Sequence, residues 1–70
     1  MYKYKYSVLI TWSDEDKCYI GKVLELDGCM TDGETVEELM ENVNEAIKVW
    51  IETAQDYNME IPEPKSFIDL

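Results

Sequence analysis

One long amphipathic helix is the feature that most restricts how this chain can fold. From Val36 to Tyr57, apolar residues recur every three or four positions, which is the spacing of a single helix face. These apolar positions are Val36, Leu39, Met40, Val43, Ile47, Trp50, Ala54 and Tyr57. At about 1.5 Å per residue the helix is roughly 30 Å long, so it can cross a whole small sheet.

The ends of this helix carry clear local signals. Thr35-Val36-Glu37-Glu38 fits a capping box, in which the Thr35 hydroxyl accepts from the amide of Glu38 and the Glu38 carboxylate reaches back. The acidic residues of this turn also suit the positive end of the helix dipole. Asn58 can adopt the left-handed conformation that ends a helix, and the prolines that follow it forbid continuation.

The residues before the helix favour antiparallel strands. Residues 2–12 alternate between apolar and polar side chains, which predicts a half-buried strand. Residues 13–17 are polar and predict a hairpin loop, and residues 18–25 predict a second strand with apolar side chains on both faces. Short strands are expected near residues 29–31 and at residues 66–70. The sequence therefore predicts an α+β fold: a small antiparallel sheet of three to four strands with one long helix packed on one face, in the order β-β-β-α-β.

Large side chains line one face of the first predicted strand. They are Tyr2, Tyr4, Tyr6, Val8, Ile10 and Trp12, whereas Leu9 is the apolar residue on the opposite face. Such an aromatic row could stack nucleic-acid bases, but those platforms come with a basic groove, and only Lys3 and Lys5 lie nearby. Packing in a core or an interface is the better interpretation.

The balance of charge restricts the classes of partner. The chain has 16 acidic residues, six basic residues and no histidine, for a net charge of −10. Such a surface repels nucleic-acid phosphates and anionic membranes, and it attracts basic proteins. The longest aliphatic run, residues 8–10, is far too short to span a membrane, so a cytoplasmic protein is expected.

Few residues offer catalytic or metal chemistry. The absence of histidine removes the commonest general base and the commonest zinc ligand. The acidic loop at residues 13–17 lacks calcium-binding spacing, because Cys18 occupies the third ligand position. Cys18 and Cys29 are not spaced as a redox pair and are expected to be small buried residues. The sequence thus predicts no catalytic residue, metal or cofactor, and a metal-dependent hydrolase is the alternative that ranks last.

Residues 28–35 nearly match the phosphate-binding pattern G-x-x-x-x-G-K-[ST] and open a helix as that loop does. Glu34 stands where the lysine would contact the phosphates, so a phosphate would be repelled. The structural interpretation is that Gly28 and Gly33 supply turns around a short strand and that Thr35 caps the helix.

The order of elements and several linear motifs resemble the HicB-like antitoxin family. The family pattern is a hairpin, a Pro-Glu-Leu-Pro-Gly-Cys-type passage, a Thr-x-Gly-Asp-Thr-x-Glu-Glu-Ala helix start and an Ile-Pro-x-Pro segment. The corresponding segments here are Leu24-Glu25-Leu26-Asp27-Gly28-Cys29, Thr31-Asp32-Gly33-Glu34-Thr35-Val36-Glu37-Glu38-Leu39 and Ile61-Pro62-Glu63-Pro64. Leu24 and Asp27 stand where prolines are common, and the match covers nearly the whole chain.

The resemblance implies a partial ribonuclease H-like α+β domain without nuclease activity. The better-known members bind and inhibit HicA, a small basic toxin that cleaves messenger RNA. Full antitoxins continue into a DNA-binding domain, whereas this sequence ends at residue 70. We therefore expect a single HicB-like domain over residues 1–70, with no C-terminal DNA-binding domain and no direct contact with nucleic acid.

A HicA-like toxin is thus the expected partner, neutralised when acidic side chains occupy the positions that RNA phosphates use. Charge and location, not the resemblance, suggest which residues make this contact. They are Glu25, Asp27, Asp32, Glu34 and Glu37, around the point where the loop meets the helix start.

The side of the helix opposite the apolar stripe is also acidic, with Glu38, Glu41, Glu45, Glu52 and Asp56. It is either a solvated face or, in part, a face for a basic partner, and Val49 among these acids is out of place for pure solvation. The alternative function is a non-catalytic homo-oligomer without a toxin partner. A chain this small, with apolar residues on both faces of its second strand, needs additional burial, so a dimer or higher oligomer is expected.

Overall fold

An antiparallel sheet of three strands packs against one helix in the computed structural model, which describes residues 2–65. The elements in chain order are β1 (Val8–Ser13), β2 (Cys18–Val23), β3 (Met30–Gly33) and α1 (Val36–Asp56). β2 lies in the centre of the sheet and pairs antiparallel with β1 and with β3. The predicted α+β class is confirmed. The short strand expected at residues 66–70 lies outside the described residues.

The β1–β2 hairpin forms where the sequence predicts it. Ser13 pairs with Cys18, and Lys17 adopts a left-handed conformation with φ of 54° in the turn between them. On the same hairpin the rings of Trp12 and Tyr19 pack edge to face, with their centroids 4.9 Å apart. Such pairs favour one strand register over its neighbours.

β1 is shorter than the alternation of residues 2–12 predicts, because the partner strand ends first. Val8 pairs with Val23, the last residue of β2, and the chain then turns, with the Leu26 amide donating to the Val23 carbonyl at 3.3 Å. Residues 2–6 therefore have no neighbouring strand in the described chain. Their aromatic side chains still pack inwards: Tyr6 is buried, and Tyr2 and Tyr4 contact the core.

β3 begins and ends slightly later than expected. Its last residue, Gly33, pairs with Tyr19, and the pairing runs back to Met30 opposite Lys22. A Cβ atom on Gly33 would lie only 2.6 Å from the backbone nitrogen of Leu39 in the helix. Glycine here lets β3 continue directly beneath the first turn of α1, a tertiary contact that a local sequence pattern cannot indicate.

The core lies between α1 and the β2–β3 half of the sheet. The buried helix residues are Leu39, Val43, Ile47 and Ala54. The first three of these form one cluster with Tyr6, Val23, Leu26 and Cys29, which come from the sheet and the segments beside it. Within the described chain α1 contacts β2 and β3 but not β1, so Ile10 and Trp12 remain exposed on the helix side of the sheet.

The predicted helix ends are confirmed. The amide of Glu38 donates to Thr35 Oγ1 at 3.0 Å, and Glu38 Oε1 accepts from the Glu34 amide at 3.4 Å rather than from Thr35 itself. At the other end Asn58 has φ of 59°, and the Met59 amide donates to the Ala54 carbonyl at 2.7 Å. Among residues 2–65 no helix has the length and apolar character needed to cross a membrane.

Candidate functional site

The five acidic residues suggested by the sequence do not form one cluster. Glu34 and Glu37 are exposed at the N-terminal end of α1, and Asp32 is exposed on β3 two residues before Glu34. Asp27 lies elsewhere, because its carbonyl accepts from Trp50 Nε1 at 2.8 Å. Trp50 is about 20 Å along the helix from its first residue, so Asp27 borders the C-terminal half of α1 and not its start.

Glu25 differs from the other four because its carboxylate is buried and accepts hydrogen bonds from backbone amides. Only 9% of the surface of this residue is exposed. Its Oε1 accepts from the Ser7 amide at 2.8 Å, and its Oε2 accepts from the Lys65 amide at 2.8 Å and from Ser7 Oγ at 3.2 Å. Desolvation raises the pKa of Glu25, but the hydrogen bonds from Lys65 and Ser7 outweigh it and hold the pKa below its usual value. A carboxylate committed in this way joins three segments and is not available to a partner.

A groove of about 520 Å³ runs between α1 and β3, and we call it the α1–β3 groove. Its lining includes Met30, Asn42, Glu45, Val49, Trp50 and Met59. Most of these side chains are apolar, and Val49, Met30 and Met59 are half exposed. The groove therefore leaves large apolar side chains in contact with solvent along one flank of the helix.

Two hydrogen bonds tie acidic residues to this groove. Asn42 Nδ2 donates to the carbonyl of Asp32 at 2.8 Å, and Trp50 Nε1 donates to the carbonyl of Asp27 at 2.8 Å. Asn42 and Trp50 both line the groove, so the backbone of Asp32 and that of Asp27 border it at separate points. The Asp32 side chain lies on the opposite face of the sheet, because Asp32 pairs with Ile20, whereas the neighbouring positions Gly21 and Gly33 face the helix. Glu45 is itself part of the lining. The arrangement is an apolar groove with the acidic residue Glu45 in its lining and the exposed residue Asp27 at its border.

The sequence prediction did not include this groove. Its one local signal is Val49, which interrupts the acidic face of the helix. The groove depends on how α1 crosses the edge of β3 and on the return of Met59 beside the helix, where the Met59 amide contacts the Ala54 carbonyl. These relationships are tertiary, and no spacing along the chain reveals them.

The cysteines have the structural role that the sequence indicates. Both are free and buried. Burial raises the pKa of the Cys29 thiol, and burial together with nearby carboxylates, first that of Asp32, raises the pKa of the Cys18 thiol. Thiols with raised pKa values are poor nucleophiles because little thiolate is present. In the part of the chain that the structure describes, no group of three or more acidic or cysteine side chains could hold a metal ion.

The chain is a small α+β domain, with a three-stranded antiparallel sheet packed against one helix. The features that distinguish it are its acidic surface and the apolar α1–β3 groove. The chain belongs to the HicB-like antitoxin family of bacterial toxin–antitoxin systems, whose family model matches residues 6–70. This match confirms the family that the linear motifs suggested.

Several relatives share this sequence over most of its length. A UPF0150 protein of Thermoplasma acidophilum is 45% identical over 58 residues, which is 83% of each chain. A UPF0150 protein of Synechocystis is 46% identical over 52 residues, and one of Archaeoglobus fulgidus is 40% identical over 52 residues, each match covering 74% of both chains. No solved structure gives a significant match to this chain.

Proposed function

We propose that this protein neutralises a small basic HicA-like toxin that cleaves RNA, and that it does so by covering the RNA site of the toxin. Membership in the HicB-like family supports the antitoxin role. The observation that carries the choice of partner is the surface charge: a net −10, with exposed carboxylates at Asp27, Asp32, Glu34 and Glu37. In this proposal the protein acts in the cytoplasm, binds no nucleic acid itself and has no catalytic role.

The proposed mechanism is competition between carboxylates and phosphates. A protein that cleaves RNA must hold an anionic backbone, so its binding surface is basic. Exposed carboxylates attract such a surface over distances up to about a Debye length, which is about 8 Å at physiological ionic strength. Once bound, they occupy positions that RNA phosphates would take. Glu25 is left out of this contact because its oxygens are already used by Ser7 and Lys65.

The first test is whether a small basic protein is encoded beside the gene for this chain, and the direct test uses that protein. We expect it to cleave RNA alone and to lose that activity when an equimolar amount of this chain is added, with no RNA cleavage by this chain itself. Cleavage that continues in the presence of excess chain would contradict the antitoxin role. Cleavage by this chain alone, abolished by mutating its acidic residues, would contradict the non-catalytic role.

The proposed contact residues are tested with two variants of equal charge. One replaces the four exposed carboxylates of the proposed contact: Asp27→Asn, Asp32→Asn, Glu34→Gln and Glu37→Gln. The control replaces four exposed carboxylates elsewhere: Glu15→Gln, Glu52→Gln, Asp56→Asn and Glu60→Gln. We expect the first variant to require far more protein for inhibition than the control. Equal losses would mean that net charge, and not this set of residues, determines binding.

The second candidate function is a homo-oligomer without a toxin partner. It is favoured by β1, where Leu9, Ile10 and Trp12 all remain exposed. An edge strand with exposed apolar side chains is prone to pair with another chain. Sedimentation velocity at micromolar concentrations should show a dimer or larger species, and a stable monomer would contradict it. If the gene has no basic neighbour, this candidate becomes the better account.

A further inference from the structure

The exposed apolar side chains of the α1–β3 groove are not explained by charge attraction. Val49 is 50% exposed, Met30 57% and Met59 53%, and all three line the same groove. Isolated exposed apolar residues are common, but contiguous ones around a concave surface are typical of binding sites. A volume of about 520 Å³ is enough to accept several side chains of another molecule.

The charge around the groove indicates what kind of molecule fits it. Among the residues that line it in the described chain, Glu45 is the only acidic or basic one, and the exposed residue Asp27 at its border is also acidic. No lysine is among the lining residues. An occupant must therefore bring apolar side chains for the groove and positive charge for its border.

A second copy of this chain fits the charge poorly. In a two-fold contact the same surface of both copies meets, so Glu45 and Asp27 of one copy would approach the equivalent carboxylates of the other. Each copy also carries a net charge of −10, which adds a long-range repulsion. The charge therefore favours a different, basic partner for this surface.

We propose that the α1–β3 groove holds the apolar side chains of a basic protein segment, whose lysine or arginine residues face Glu45 and Asp27. This inference rests on the proposed function for the identity of the partner as a toxin, but the groove and its preference can be tested without one. Apolar anchors in a groove supply most of the affinity of many interfaces, whereas exposed charges mainly increase the rate of encounter. The groove would thus hold a partner that the carboxylates attract.

The test uses three short synthetic peptides as probes. One alternates lysine with leucine, one alternates lysine with serine, and one alternates glutamate with leucine. Binding is followed by the fluorescence of Trp50, whose indole lines the groove, in a Trp12→Phe background that removes the other tryptophan. We expect the lysine–leucine peptide to bind about tenfold or more tightly than either of the others, because only it satisfies both the groove and its border.

Variants then locate the binding. Val49→Gln and Met59→Gln each remove an apolar contact from the groove, and each should weaken binding of the lysine–leucine peptide about fivefold. Leu9→Gln is the matched control, because Leu9 is 51% exposed but lies on β1, outside the groove. It should leave the affinity within about twofold of the parent protein. Urea unfolding of each variant verifies that the fold is retained.

Several outcomes would overturn the proposal. Equal binding of the lysine–leucine and lysine–serine peptides would leave charge alone as the determinant, and equal binding of the glutamate–leucine peptide would remove the preference for a basic partner. Absence of binding, or an equal loss from Leu9→Gln, would remove the groove as the site. None of these results affects the RNA-cleavage test of the antitoxin role. Conversely, failure to inhibit a toxin would leave a groove that still selects basic apolar peptides.

Discussion

The carboxylate of Glu25 accepts a bifurcated hydrogen bond from the backbone N–H of Ser7, at 2.8 Å to one oxygen and 3.1 Å to the other. Ser7 immediately precedes β1, whereas Glu25 follows the end of β2. The same carboxylate accepts from the amide of Lys65 at 2.8 Å, so one buried charge fixes the entry to the sheet and the segment after the helix. Charged hydrogen bonds of this kind are stronger than neutral ones.

Glu25→Gln should therefore destabilise the fold substantially. The amide group keeps only one acceptor oxygen and turns an N–H towards donors, so part of the network is left unpaired. We expect a loss of about 2 kcal/mol in the free energy of unfolding, measured by urea denaturation at neutral pH. Glu15→Gln, at an exposed position in the hairpin turn, is the control and should change it little. Equal stability of the two variants would mean that the network contributes nothing.

The same carboxylate predicts a dependence of stability on pH. Because the pKa of Glu25 is lowered in the folded protein, its ionised form stabilises the fold above the unfolded pKa of about 4.5. That contribution is lost as the pH falls through the lower, folded pKa. The advantage of the parent protein over Glu25→Gln should therefore shrink as the pH falls below about 4.5. An advantage that is constant from neutral pH into this acidic range would contradict the lowered pKa.

The helix cap gives a second stability prediction. Thr35→Ala removes the oxygen that accepts from the Glu38 amide and should cost about 1 kcal/mol, which is typical of such caps. That is a sizeable part of the stability available to a small domain. The urea midpoint should fall with an unchanged slope. Thr35→Ser keeps the hydroxyl and serves as the control, so an equal fall in both variants would point to a cause other than the cap.

Two glycines should respond unequally to substitution by alanine. A Cβ on Gly33 would lie 2.6 Å from the Leu39 backbone nitrogen, and backbone cannot move aside without shifting the helix. A Cβ on Gly21 would lie 3.1 Å from Leu39 Cδ1 and 3.2 Å from Val43 Cγ2, where side chains can adjust. We expect a loss of about 3 kcal/mol or more for Gly33→Ala and about 1 kcal/mol for Gly21→Ala. The reverse order in urea unfolding would contradict the close approach of α1 to β3.

The parts of this structure that the sequence predicts are those that rest on local chemistry. The helix bounds follow from the hydroxyl of Thr35 and the left-handed Asn58, and both signals act within one turn. Alternation predicts too long a β1, because it indicates which residues suit a strand but not where the partner strand ends, which is at Val23.

The candidate site was harder to predict because its residues meet only in the folded chain. A count of charges cannot distinguish the buried carboxylate of Glu25 from a carboxylate in water. The amides that donate to it, those of Ser7 and Lys65, are 18 and 40 residues away along the chain. The contact between Trp50 and Asp27 spans 23 residues, and it moves Asp27 from the helix start to the groove. In the sequence, the one indication of the α1–β3 groove is Val49, an apolar residue among acidic residues of the helix.

The dependence of toxin binding on salt distinguishes long-range electrostatic attraction of the partner from the short-range contacts that stabilise the complex. If exposed carboxylates guide the partner, the association rate should fall steeply as salt rises, since charges are screened beyond about 10 Å at 0.1 M ionic strength. At low salt Glu34→Lys with Glu37→Lys should slow association more than Glu52→Lys with Asp56→Lys, an equal charge change at the far end of α1. Stopped-flow measurements with the neighbouring basic protein at several salt concentrations test this. Equal slowing by both pairs would indicate a diffuse field and remove the helix start as the point of contact. An association rate insensitive to salt would mean that the acidic surface does not guide binding at all.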